Sequence, residues 1–189
     1  RTPTQDDQSC IRCHEQFRTD AAQAAHSHHS AGSAGSRCMN CHMPKINEGL
    51  QDMVRTHRIQ SPVDKLMIEN NHPNACNLCH LDKSIDWTLE HVASWYPASS
   101  KFDSARIAAN YPDRSGAVGL GWIKSRHHTT RLCASDSLAL RQARASLGPL
   151  LDLLIHDPEL INRQFIQQRL KQSIDLDLKS MGYQFYMMP

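Results

Sequence analysis

One five-residue pattern occurs three times in the first half of the chain: Cys10-Ile11-Arg12-Cys13-His14, Cys38-Met39-Asn40-Cys41-His42 and Cys76-Asn77-Leu78-Cys79-His80. Two thiols three positions apart can add to the two vinyl groups on one edge of a porphyrin, and the next residue then brings its imidazole beneath the metal. Each copy therefore reads as a c-type haem attachment site, with His14, His42 and His80 as proximal ligands. Paired cysteines also build zinc sites. Histidine is 12 of 189 residues, so a histidine after all three pairs arises by composition alone at roughly 3 in 10,000. The spacing favours three covalent haem c groups over zinc or redox dithiols.

That reading changes what the rest of the composition means. Residues 1–80 are poor in aliphatic side chains and rich in His, Ser, Asn and Gln, and alone they would bury too little apolar surface to offset chain entropy. Covalently held macrocycles would supply the missing core. The formal charge of +2, with Lys and Arg scattered, gives no case for a nucleic-acid partner. Haem propionates and ferric centres would bring the loaded protein to about −1 oxidised and about −4 reduced. Six of the 7 cysteines fall in the motifs, which leaves only Cys133, expected as a buried inert thiol, and no disulfide framework. Haem attachment of this kind takes place outside the cytoplasm, and the chain opens at Arg1 without a leader, so a periplasmic or extracellular location is expected, for a processed protein or an excised part of a longer one. The most apolar stretch, 147–155, is too short to span a bilayer.

Taken in order, 1–9 reads as a polar lead-in and 15–25, rich in alanine, as a short helix delivering His26, His28 and His29. A low-spin haem needs a sixth ligand, and His26 and His29, three apart, are placed to reach different haems, with His28 the less favoured donor. Spacing of Leu50, Met53, Val54 and Ile59 predicts a helix over 48–59 that carries His57, the third expected distal ligand. His72 and His91 are weaker candidates. An amphipathic helix stopped by Pro97 is predicted over 84–96, where Trp87 and Trp95 would cover a haem or a domain junction. Residues 98–126 read as a connector. Three helices follow, over 129–145, 149–156 and 158–174, with Asp157 as N-cap and Pro158 in the first turn. The apolar terminal segment 181–189 is expected to dock, on this chain or on a neighbour.

The fold class predicted is mainly α with much irregular loop: a haem-packed domain over 1–97, the connector, and helical hairpins over 127–189. The motif runs 38–44 (C-M-N-C-H-M-P) and 73–80 (P-N-A-C-N-L-C-H), the Asp86-Trp87 helix and the helix-Asp157-Pro158-helix unit resemble secreted bacterial multihaem c-type cytochromes whose haem domain is joined to HEAT-like repeats. The resemblance implies bis-histidine haems stacked closely for rapid electron tunnelling, with His26, His29 and His57 opposite the motif histidines. It also implies redox partners, other cytochromes first among them. The helical part holds too few repeats for a self-standing solenoid. An electron relay is the leading expectation, so the chain is expected not to be an enzyme in its own right. Two alternatives stay open: a small oxidoreductase with one open haem, and a subunit of a homo-oligomer, a cytochrome filament or a larger redox complex.

Overall fold

The computed structural model describes residues 7–187, so most of the lead-in, and Met188 and Pro189 of the terminal segment, lie outside it. Its elements in chain order are α1 (Gln8–Ile11), α2 (Asp20–Ser27), α3 (Cys38–His42), β1 (Lys45–Glu48), β2 (Met53–Arg55), α4 (Lys65–Glu69), α5 (Ile85–Trp95), α6 (Ser104–Asn110), α7 (Val118–Trp122), α8 (His128–Arg141), α9 (Leu147–His156) and α10 (Leu160–Ile174). Short 3-10 turns at Glu15–Phe17 and Ala34–Ser36 interrupt the loops. The molecule is mainly helical with irregular segments between the helices, as the sequence predicts.

Local chemistry sets most of the boundaries. The helix expected over 15–25 breaks in two because Thr19 starts a new one, its hydroxyl accepting from the Ala22 N–H at 3.2 Å. α2 ends where His28 adopts a left-handed φ of 56°. Ser84 caps α5 through the Trp87 N–H at 3.1 Å, and α5 buries Ile85, Thr88 and Val92. The Thr88 hydroxyl donates to Asn77 Oδ1 at 3.0 Å, which ties α5 to the third motif. The stretch 98–126 carries α6 and α7, whose Ile107 and Trp122 are core residues.

The helix expected over 48–59 does not form. β1 and β2 pair antiparallel there, with Lys45 opposite Arg55, Asn47 opposite Val54 and Glu48 opposite Met53. Leu50 and Ile59 are 92% and 74% exposed, so their spacing marks no buried stripe, and only Met53 enters the core. Gly49 closes the turn: its N–H reaches the Asp52 carbonyl at 3.1 Å, where a Cβ would stand 2.5 Å from that oxygen. Arg55 then donates to the Met39 and Met43 carbonyls at 2.7 and 3.0 Å and to Asn40 Oδ1 at 2.7 Å. The hairpin thus places a cation on the carbonyl end of α3, where the helix dipole favours it.

α8, α9 and α10 pack on one another, α8 packs on β1, and Arg169 of α10 pairs with Asp52 in the hairpin turn. One hydrophobic cluster runs from Met53 through Ile68, Ile85, Trp122 and Leu132 to Leu170 and Leu178. Cys133 is buried in it, its Sγ directed at the Ile46 carbonyl at 3.6 Å, and burial raises its thiol pKa to about 12. Asp157 is not the N-cap of α10. It lies before the helix, holds Arg131 through both carboxylate oxygens at 2.8 and 3.1 Å, and accepts from Asn162 Nδ2 at 2.9 Å and the Glu159 N–H at 2.9 Å. A buried guanidinium from α8 outcompetes a simple cap for that carboxylate. The terminal segment docks on its own chain: the Tyr183 hydroxyl donates to the Leu154 carbonyl at 2.5 Å and Arg163 to the Met187 carbonyl at 2.7 Å.

Candidate cofactor site

All three motifs adopt the same local form. The His14 N–H bonds the Cys10 carbonyl at 2.9 Å, the His80 N–H bonds the Cys76 carbonyl at 3.0 Å, and Cys38–His42 is the helix α3 itself. One helical turn sets the first and second thiols on the same side, with the imidazole one position further on. The motifs also adjoin. The Cys10 and Cys38 thiols are within hydrogen-bonding reach of each other, and Cys41 lies close enough to Cys76 and Cys79 for their charges to interact.

Burial pushes the Cys38 thiol up to about 11 and that of Cys76 up to about 12, and it also raises Cys41. Among the described residues no group of three or more His, Cys, Asp or Glu converges as a tetrahedral zinc site requires.

The histidines pair instead. The His26 and His42 rings lie 6.1 Å apart, centroid to centroid, and within 4° of parallel, while His29 and His80 lie 6.0 Å apart at 31°. Metal–nitrogen bonds of about 2 Å on either side, with the radius of each ring, set two imidazoles trans on one metal roughly 6 Å apart between centroids. Two donors suffice when a porphyrin supplies the other four nitrogens, so this donor set fits a haem. The ring orientations are held from behind: His42 Nδ1 faces the Gln60 carbonyl at 2.8 Å and His29 Nδ1 the Ser27 carbonyl at 2.6 Å. A carbonyl there fixes the proton on Nδ1 and leaves Nε2 as the donor atom. Burial lowers the pKa of His26 and of His80, an effect reinforced by His42 on the former and His29 on the latter. Both are thereby kept in the neutral, ligating form.

Around the His29–His80 pair is a largely apolar cleft, open to solvent, lined by Cys41, Cys76, Cys79, Trp87, Trp95 and Tyr96 among others. It presents apolar walls, two thiols of one motif and an imidazole from either side, which again fits a porphyrin. Gly35 stands directly behind His29, where a Cβ would come within 2.2 Å of the ring. Phe17 stacks on His26 with centroids 4.4 Å apart, and the Tyr96 hydroxyl holds the His26 carbonyl at 2.6 Å.

The other expected donors are placed differently. His28 stacks on Trp95, centroids 4.6 Å apart and 6° from parallel. His91 lines the cleft with its Nδ1 at 2.8 Å from the Trp87 carbonyl and its ring 4.1 Å from that of Trp87. His57 is exposed in the loop after β2, and among the described residues neither His57 nor His14 stands in a ring pair. His72 faces His127 and no motif histidine. The sequence reading missed Phe17 and the Gln60 carbonyl, neither of which leaves a local signal. Gly35 belongs to the small-residue loop 30–36, whose glycines suit a close approach of backbone to the site, and here the neighbour is the His29 ring.

Residues 23–101 match the family model of cytochrome c552. The match takes in the second and third motifs with His26 and His29, and leaves out the first motif and α8–α10. No curated protein and no solved structure matches the chain. Among the described residues no helix is long and apolar enough to cross a membrane. The paired imidazoles beside their thiols and the similarity to cytochrome c552 together support a c-type cytochrome, a protein of electron transfer with covalently bound haem.

Proposed function

We propose that the chain carries three haem c groups and relays electrons one at a time between redox proteins outside the cytoplasm. The observation that carries this reading is the recurrence of one separation, 6.1 and 6.0 Å, between a motif histidine and a histidine delivered by the end of α2. Cys38, Cys41 and His42 would hold one haem with His26 opposite, and Cys76, Cys79 and His80 a second with His29 opposite. Cys10, Cys13 and His14 would hold the third. Bound there, haem supplies a reversible one-electron iron couple. The protein's own part would be to fix the imidazoles of His26, His29, His42 and His80 and to cover the group beside the third motif with Trp87 and Trp95. Bis-histidine ligation keeps the couple lower than His/Met ligation would. Because His26 and His29 leave the same helix terminus, the second and third motifs are coupled through three peptide bonds, and the thiol contacts order the motifs first, second, third.

A second reading comes from the first motif, where Cys13 and His14 are exposed. Its iron would take a sixth ligand that does not stand opposite His14 in this structure: His57 after a loop movement, a residue of a neighbouring subunit, or a small molecule. The last of these is the small-oxidoreductase alternative, and the second is the filament or complex. The HEAT-like nature of α8–α10 is likewise a proposal, and in it these helices serve as a packing and docking module. Intact mass of the denatured protein tests the proposal: three haems are expected above the polypeptide mass, and a bare polypeptide mass from haem-competent expression would reject it.

A further inference from the structure

A third pair of imidazoles shows the same separation but contains no motif residue. His72 and His127 lie 6.1 Å apart between ring centroids, inclined at 59°. All six motif cysteines are accounted for elsewhere, so no covalent haem belongs to this pair. We infer that His72 and His127 form a separate bis-imidazole site for a divalent transition metal of tetragonal preference, the Ni²⁺ and Cu²⁺ class, with water in its remaining positions.

Both rings sit on fixed supports. His72 follows Asn71, which has a left-handed φ of 57°, and the side chain of Asn71 donates to the Asn110 carbonyl at 2.9 Å while accepting from Trp122 Nε1 at 2.7 Å. The His72 N–H is bonded to the Met67 carbonyl at 2.9 Å, and Pro73 restricts the backbone of His72 before it. On the other side the His127 N–H bonds Ser125 Oγ at 3.2 Å, and the Arg131 guanidinium clamps the Ser125 and Arg126 carbonyls at 2.8 and 3.2 Å. The two supports lie 55 positions apart in sequence yet hold their rings at the trans spacing, so little ordering remains for a metal to impose. Among the described residues neither ring makes a side-chain hydrogen bond, in contrast to His42, His29, His91 and His156.

Metal identity follows from geometry. Two imidazoles on a tetrahedral ion subtend a smaller angle and bring their centroids nearer than trans donors do, to about 5 Å. The observed spacing matches opposite positions of a square-planar or tetragonal ion, the preference of Cu²⁺ and Ni²⁺ and not of Zn²⁺. No residue of the three motifs takes part, so the inference stands or falls apart from the haem assignment.

The test is calorimetric titration of the oxidised, haem-loaded protein with Ni²⁺, a redox-inert probe, and with Zn²⁺ in parallel. One equivalent of Ni²⁺ binding more tightly than Zn²⁺ is expected. His127→Asn, an exposed position, is expected to weaken Ni²⁺ at least tenfold, as is His72→Asn. His128→Asn, the neighbouring residue whose Nε2 faces Glu48 at 4.0 Å, leaves affinity unchanged. Equal Ni²⁺ affinity in wild type and His127→Asn, preference for Zn²⁺, or no saturable binding would each overturn the inference. Unaltered haem bands in the variants show that the fold and the haem centres are intact when affinity is read.

Discussion

Gly35→Ala is the most economical perturbation of the proposed third-motif centre. The new methyl would stand 2.2 Å from His29 Cδ2, 2.4 Å from Cγ and 2.8 Å from Nε2, whereas unstrained carbon contacts are about 3.5–4.0 Å. Something must move by more than about 1 Å, and the backbone is the less free partner. Asn40 Nδ2 holds the Ala34 carbonyl at 2.8 Å and the Ser36 hydroxyl holds that of Ser33 at 3.0 Å, so the turn is anchored on both sides of Gly35. The ring of His29 therefore gives way and loses its place 6.0 Å from His80. Overpacking of this kind costs about 1–3 kcal/mol, which a folded domain tolerates, so ligation and folding can be read separately. The assay is carbon monoxide binding to the reduced protein, with low-spin ferric resonances as a second readout. One haem in three should become reactive in Gly35→Ala, while Gly121→Ala, where a Cβ meets nothing within 4 Å, should match wild type. A Gly35→Ala protein with wild-type spectra and unchanged carbon monoxide reactivity would refute the placement of His29 on the third-motif iron.

Replacing His26 by Met should raise the potential of one haem and leave the others in place, because thioether ligation favours ferrous iron; a redox titration in which no component moves upward would reject His26 as a ligand. Asp157→Ala leaves Arg131 buried without its anion and should destabilise the protein by about 3–5 kcal/mol in denaturant unfolding, with the haem spectrum of the folded fraction unchanged. Burial pushes the Asp157 carboxyl up, but hydrogen bonds from Arg131, Asn162 and the Glu159 N–H outweigh it and leave the pKa lowered. Its stabilisation is therefore present above the ordinary carboxylate range near about pH 4 and is lost as pH falls through the lower folded value; Asp157→Asn should lack this share of the acid dependence. Trp122→Ala empties a core position and frees Asn71, at a cost of about 3–5 kcal/mol, whereas Trp122→Phe loses chiefly the hydrogen bond, about 1 kcal/mol; comparable midpoints for the two would contradict the packing described.

The parts of this molecule legible in its sequence are those whose chemistry is local. The motifs are written in five consecutive residues, and the placing of His26 and His29 before different motifs could be reasoned from their spacing of three. α5 and α10 announced themselves through apolar periodicity. The hairpin did not, because Leu50 and Ile59 imitate a helical stripe while facing solvent, and the turn depends on the close approach of Gly49 to Asp52, which has no distinctive spelling. Asp157-Pro158 spelled a helix start, but the carboxylate answers to Arg131 from another helix. His72 and His127 meet only through the tertiary packing of Asn71 against Trp122. Tertiary contacts of this kind decide ligand pairing, and spacing along the chain does not encode them.

The central claim is that His42 and His80 each share an iron with a histidine from the end of α2. The most direct measurement is the optical spectrum of the purified protein, oxidised, then reduced, then reduced under carbon monoxide. Sharp low-spin c-type bands are predicted, with at least two of three haems unmoved by carbon monoxide and any response confined to the exposed first-motif centre. A carbon monoxide shift of most of the haem, a dominant high-spin band or a spectrum without haem would contradict the account.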